Sequence, residues 1–290
     1  MHGTTLRELI EDAVDTLVRT GAVIAPRQDA EALVATAFGA QPADLPLDQA
    51  PEASPAEEFD RLVGRRAEGV PLGHLTGSVL LGGVELTVGP GVFVPREQSE
   101  AVLARGLGAL EQVALPLVVD LCAGSAAFAL ALAHQRLDAT VHAVECDPVA
   151  LDFARRNSER QVALGEPAIV LHQADVADPD LLADLAGRVD LVLANPPFMP
   201  EEAEVPAEFG VHQPRQAVFA GPDGLRVIRQ TIEAAARLLA PGATLVLEHG
   251  HLHAETVPAL LRADNRFEQV SGHLDQYGWP LFAVATRAAR

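Results

Sequence analysis

The chain has 290 residues, with 21 basic against 40 acidic side chains and a formal net charge of −19; apolar residues make up 49% and charged residues 21%, a globular rather than disordered balance. At roughly 100–200 residues per domain, the length suggests two domains, or one large domain with an appendage. No stretch approaches the ~20 consecutive apolar residues of a membrane span, acids interrupt the N-terminal MHGTTLRELIEDAVDTL where a secretory leader is apolar, and the negative charge removes the general attraction to a phosphate backbone. These features predict a soluble cytoplasmic protein with no membrane and no direct nucleic-acid partner.

Residues 1–70 read as a small helical bundle, a structural cap or a grip on a partner, with partner recognition the expected role. Thr4 or Thr5 can cap a first helix with apolar positions Leu6, Leu9, Ile10, Val14, Leu17 and Val18, and Gly21 lies just past its end. A second helix fits Asp29 to Phe38, and a third starts after Pro55 and runs through Phe59, Leu62 and Val63 before Gly69. Residues 71–95 change character: β-branched runs broken by Gly82-Gly83 and by Gly89-Pro90-Gly91 predict a hairpin and an extended stretch, linking the bundle to a main domain over 96–290. Arg96 and Glu100 follow Pro95 and are expected to open a helix.

From Leu117 onward, apolar runs alternate with helices. PLVVDLCAG is a buried strand ending in a small-residue turn, SAAFALALAHQ a helix, TVHAVEC a strand, and DPVALDFARRNSERQ a helix opened by an acidic cap. AIVLHQAD and VDLVLANPPF are strands, LRVIRQTIEAAARLL a helix, ATLVLEHG a strand, and FEQVSGHL with PLFAVATR closes the chain. This alternation means right-handed crossovers and a largely parallel sheet covered on both faces, an α/β fold whose ligands sit at the carboxyl ends of the strands.

The residues at those strand ends carry the chemistry. Asp120 and the turn Cys122-Ala123-Gly124-Ser125-Ala126 end the first strand, Glu145 the second, Asp175 (with Val176) the third, and Asn195-Pro196-Pro197-Phe198 the fourth. A small-residue turn lets a ligand approach backbone and helix N-terminus, an acid at the second strand end can accept both ribose hydroxyls, and a polar group at the third can meet an adenine amine. Together they describe an adenosine-containing cofactor. Neither G-x-G-x-x-G nor G-x-x-x-x-G-K-[ST] is present, and the chain has no lysine. Two prolines withhold their N–H groups and fix the backbone, so a planar –NH2 could donate to Asn195 and the Pro196 carbonyl while resting on Phe198.

Other residues are discounted. Cys122 and Cys146 are too few for a disulfide framework or a structural zinc site and are expected as buried small side chains. His249, His251 and His253 alternate past a strand but lack a supporting carboxylate–histidine pattern, so no metal is expected and a loop near the cleft is the better reading. Glu201, Glu202 and Glu204 fit equally a solvated loop or a surface that attracts a basic partner.

The order of small-residue turn, acid, Asp and NPP-aromatic resembles class I S-adenosylmethionine-dependent methyltransferases acting on planar nitrogen. Within that class the chain is similar to the bacterial release-factor N5-glutamine methyltransferases over nearly its whole length, through PGVFVPREQSE at 90–100, HQPRQAVFAGPDGL at 212–225 and LVLEHG. The resemblance implies a Rossmann-like domain with a mostly parallel seven-stranded sheet behind an N-terminal helical bundle and hairpin linker. It also implies methyl transfer from S-adenosylmethionine to the glutamine amide of the Gly-Gly-Gln motif in class 1 release factors, with Asn195 and Pro196 positioning that amide. The chain departs from the family at Phe198, where Tyr is commoner, and in the turn, where G-x-G-x-G is usual and only Gly124 remains. Cysteine suits the first position if that backbone needs no positive φ, and the Ala126 methyl, where the helix approaches the ligand, overpacks at ~1–3 kcal/mol if the site cannot relax, about one to two decades of cofactor affinity. An adenine-N6 nucleic-acid methyltransferase and a non-catalytic paralogue acting by protein contact are the competing readings.

Overall fold

The computed structural model describes residues 4–21, 23–40 and 42–289, and in it the chain forms two units, Met1–Ser78 with Glu204–Gln213 and Val79–Ala203 with Pro214–Arg290. In the first unit, helix α1 (Leu6–Thr20) opens on a capping box in which Thr5 accepts from the Glu8 backbone and the Glu8 side chain accepts from Thr5 N–H. It stops at Gly21, whose φ of 63° is the left-handed C-cap. Helix α2 (Pro26–Phe38) begins three residues before the expected Asp29, because Pro26 takes a first-turn position where a missing N–H costs nothing. Helix α3 (Ala53–Ala67) likewise starts ahead of Pro55 and carries that proline in its first turn.

Leu6, Ile10, Leu17, Leu33, Phe59 and Leu62 form this unit's core. Within it Arg66 and Asp29 form a buried ion pair at 2.6 Å, and Arg66 also donates to the Val70 carbonyl at 3.0 Å and to Glu208 at 3.2 Å. Leu72–Thr76, ahead of the expected hairpin, is a short helix, α4, and Gly77 (φ 80°) ends it.

The hairpin that follows pairs β1 (Ser78–Leu81) with β2 (Val84–Thr87) across Gly82 and Gly83, both at positive φ as a tight two-residue turn requires. Helix α5 (Ser99–Ala109) starts four residues past Pro95. Then come β3 (Leu117–Leu121), α6 (Ala127–Gln135), β4 (Thr140–Glu145), α7 (Pro148–Ala163), β5 (Val170–Gln173), β6 (Val189–Ala194), α8 (Arg226–Leu238), β7 (Leu239–Glu248), α9 (Thr256–Ala263), β8 (Phe267–Leu274) and β9 (Pro280–Arg287). The sheet order is β5-β4-β3-β6-β7-β9-β8, parallel from β5 through β7, with β9 and β8 antiparallel at one edge. Its central strands are buried on both faces, which is why they read as continuous apolar runs without alternation. Strand order reverses between β3 and β6, the point at which such sheets open a crevice beyond their carboxyl ends. Among the described residues no helix is long and apolar enough to cross a membrane.

Candidate active site

Four neighbouring strand ends, β5, β4, β3 and β6, bring the expected residues to one edge of the sheet. After β3 the chain turns sharply: Cys122, Gly124 and Ala126 all have positive φ, at 61°, 56° and 65°. The condition under which cysteine suits the first position is therefore not met, and the left-handed turn is made without glycine at its first and last positions. Ala126 is fully buried in the apolar cluster at the head of α6, and its N–H donates to the Ala123 carbonyl at 2.8 Å. What it spends is backbone conformation, on the order of 1–2 kcal/mol for an L residue in this region.

Glu145 ties the turn to β4. One carboxylate oxygen accepts from Gly124 N–H at 2.8 Å and the other from Asp147 N–H at 2.8 Å. Each oxygen keeps a further lone pair for a hydroxyl donor. Asp147 caps α7 through Val149 N–H at 3.0 Å and receives Gln216 at 2.6 Å. Asp175 lies exposed two residues beyond β5, its carboxylate accepting from Ala177 N–H at 2.9 Å, and Val176 beside it is buried. Asp120 is buried with one oxygen accepting from Ala129 N–H at 3.1 Å; its other oxygen and the buried Ser125 hydroxyl have no partner among the described residues. Burial, then the nearby Glu145 charge, push the Asp120 pKa up to about 8 against the Ala129 hydrogen bond.

At the end of β6, Asn195 is half-buried and Pro196 buried; neither the Asn195 side-chain amide nor the Pro196 carbonyl has a hydrogen-bond partner among the described residues. Phe198 is half-buried and held from three sides. His253 Nε2 lies 2.8 Å from its carbonyl oxygen, a Cβ on Gly224 would stand 2.2 Å from that same oxygen, and one on Gly250 would stand 2.9 Å from the ring. The chain beyond is clamped by Met199 N–H to the Val218 carbonyl at 2.8 Å and Ala220 N–H to the Met199 carbonyl at 2.9 Å. His249 Nδ1 meets the Gly250 carbonyl at 2.7 Å, while its Nε2 is buried without a partner among the described residues. Glu201, Glu202 and Glu204 are exposed.

Some site residues escape a reading of the sequence. Asn157, fully buried on α7, donates to the carbonyls of Ser125 and Thr87 and accepts from Thr87 N–H, stitching the turn to the hairpin. Glu248 ends β7 opposite the end of β6, buried, and accepts from the Ser99 hydroxyl at 2.9 Å. Burial pushes its pKa up to about 7, opposed by that hydrogen bond and by the Arg96 charge. The available signal was its position, an acid closing an apolar strand as Asp120 and Glu145 do. Arg96 itself donates to Gln98 at 3.3 Å, and Glu100 accepts from Gly82 N–H at 2.7 Å. The cysteine expectation also fails in part: Cys122 is half-buried but Cys146 is exposed.

Residues 84–212 match the Methyltransferase small domain and residues 8–77 the PrmC N-terminal domain. The chain is 43% identical over 288 residues to the release factor glutamine methyltransferase of Mycolicibacterium smegmatis, covering 99% of both chains. It is 36% identical over 274 residues to the 4-amino-L-phenylalanine/4-methylamino-L-phenylalanine methyltransferase of Streptomyces pristinaespiralis, covering 92% of this chain and 90% of that one. A solved structure of the T. thermophilus 16S rRNA N2 G1207 methyltransferase with AdoMet and guanosine shares the fold, with a TM-score of 0.51 and 22% identity over 72% of this chain and 49% of that one.

Proposed function

The chain belongs to the release factor glutamine methyltransferase family, and from that premise we propose that it transfers a methyl group from S-adenosylmethionine to the side-chain amide nitrogen of the glutamine in the Gly-Gly-Gln motif of class 1 peptide chain release factors, in the cytoplasm. The observation that carries this reading is the pair of uncommitted acceptors at the end of β6, the Asn195 side chain and the Pro196 carbonyl, beside the Phe198 ring.

The cofactor side fits. The buried oxygens of Asp120 and Ser125 that lack partners, the left-handed turn Cys122–Ala126 and the remaining lone pairs of Glu145 suit a charged, hydroxyl-bearing ligand, with Asp175 and Val176 at the adenine end. These residues would hold S-adenosylmethionine, which when bound supplies a methyl group on a positively charged sulfur. An amide nitrogen is a poor nucleophile because its lone pair is delocalised into the carbonyl. Donating both N–H groups to Asn195 Oδ1 and the Pro196 carbonyl fixes the amide plane, and the Phe198 ring supports its face. Catalysis is then mainly orientation within a preorganised polar site, which supplies several kcal/mol of a barrier.

The 36% identical relative that methylates an amino-phenylalanine favours a second reading, since an arylamine offers the same planar –NH2. Parallel incubations with S-adenosylmethionine and either an unmodified class 1 release factor or 4-amino-L-phenylalanine, followed by mass spectrometry of the Gly-Gly-Gln peptide and of the amino acid, separate the two. A methyl increment on that glutamine is expected. An increment on 4-amino-L-phenylalanine and none on the release factor overturns the proposal.

A further inference from the structure

The chain holds one tryptophan and one tyrosine, and they lie two residues apart at the tip of the β8–β9 hairpin, Tyr277 and Trp279 each 64% exposed. Leu274 and Leu252 are also largely exposed, and the His251 ring meets Trp279 edge-on at 6.2 Å between centroids. The turn does not need its aromatics. Asp275 Oδ1 accepts from Tyr277 and Trp279 N–H at 2.9 Å each, Asp275 N–H donates to the Trp279 carbonyl at 2.8 Å, and Gly278 N–H donates to the Asp275 carbonyl at 3.1 Å. The two rings are presented outward on a loop already held in shape, so little ordering remains to be lost on contact.

The tip is continuous with the site. Glu248 at the end of β7 pairs with Phe282 of β9, and His249 and Gly250 N–H both donate to the Leu281 carbonyl, at 2.8 and 3.0 Å. Gly250 in turn backs the Phe198 ring. The backbone from Phe198's support at Gly250 to His251 thus leads directly to Trp279, at the same end of the sheet as Asn195.

We propose that Tyr277 and Trp279, with Leu252, Leu274 and His251, form a docking surface for the intact substrate protein, the class 1 release factor, engaging an apolar patch beside its glutamine loop. This rests on the function proposed above. A folded protein that delivers a glutamine to Asn195 must bring its surface across this end of the sheet, where the tip projects. Exposed Glu201 and Glu202 on the loop after Phe198 add a preference for basic side chains around that patch. A second copy is a poor occupant, because two chains of charge −19 repel. Exposed clusters of large apolar side chains mark interaction surfaces, and Trp and Tyr dominate their energetics.

The test compares wild type with Trp279→Ala and Tyr277→Ala on two substrates, the intact release factor and a short Gly-Gly-Gln peptide. The variants should raise KM for the intact protein about tenfold or more while leaving kcat and peptide turnover unchanged. Equal kinetics on the intact protein, or an equal loss on protein and peptide, overturns the proposal. A readout independent of turnover comes from 5-fluorotryptophan, which gives a single 19F resonance at Trp279. The resonance should shift when the release factor is added and stay put with the peptide. No shift while the two proteins co-elute overturns docking at the tip alone. A shift that depends only on the chain's own concentration replaces the release factor by a second copy and also overturns it. If wild type methylates neither substrate and forms no complex, the functional reading fails and this surface fails with it.

Discussion

Asn195 has a half-buried amide whose hydrogen-bonding capacity is not used among the described residues, so its removal strips the site without unsettling the fold. Asn195→Ala should lower kcat by about 10²–10³, the usual cost of deleting one preorganised polar group, with an unchanged urea midpoint; an active variant sinks the amide-positioning mechanism. Cys122 and Ala126 show the opposite economy, holding left-handed backbone that glycine would adopt freely. Glu248 makes a pH prediction. Its pKa is raised by burial to about 7 in the folded chain, so the native state keeps a proton that the unfolded chain releases from about pH 4.5 upward. Its stabilising contribution is complete below that pH and lost as pH rises through 7. Glu248→Gln should therefore gain on wild type between pH 5 and pH 8 by on the order of 2 kcal/mol in urea unfolding. An unchanged difference across that range means the carboxylate does not titrate there.

The elements that build the site are joined by few side chains, and Asn157 is the clearest. It sits on α7, yet its three hydrogen bonds, at 2.7, 3.1 and 3.1 Å, reach β2 and the turn after β3. Asn157→Leu keeps the branched outline of the side chain but adds bulk, and it leaves the Thr87 N–H and two carbonyls without that partner. A loss of about 2 kcal/mol is expected, read as a lower urea midpoint, together with weaker S-adenosylmethionine binding by calorimetry because Ser125 loses its anchor. Full stability in this variant would show that water replaces the amide. Helix α6 teaches a different point. All seven residues Ala127–Ala133 are buried, so it has no polar face for periodicity to reveal, and its location in the sequence depended on the strand before it and the turn between.

For the whole molecule, charge is the dominant property. At −19 and a sequence pI near 4.8, self-repulsion opposes the folded state at neutral pH, and salt screens it over a Debye length of ≈ 10 Å at 0.1 M. Raising sodium chloride from about 20 to 300 mM at pH 8 should lift the unfolding free energy by on the order of 1 kcal/mol, and the gain should vanish near pH 5. A fall at pH 8 would mean that the surface ion pairs, such as Arg266 with Glu233 and Asp264, outweigh the net charge.

Much of this protein is written locally. The Thr5 and Asp147 caps, the Gly82-Gly83 turn, the closing strands Phe267–Leu274 and Pro280–Arg287, and the residues standing at the strand ends all follow from propensity, capping and apolar runs within a few residues of each other. The helix starts at Pro26 and Ala53 lie a few residues ahead of where apolar periodicity begins, and the five-residue helix Leu72–Thr76 is too short for periodicity to mark. Tertiary structure alone decided the rest. The strand order that reverses between β3 and β6, the Ser99–Glu248 bond across 149 positions, the reach of Asn157 and the approach of the hairpin tip to Phe198's support all join residues far apart in the chain. Sequence periodicity reports which face of an element is buried; it carries no information on which distant element covers that face, and the left-handed turn at Cys122 and Ala126 exists only because the surrounding packing compels it.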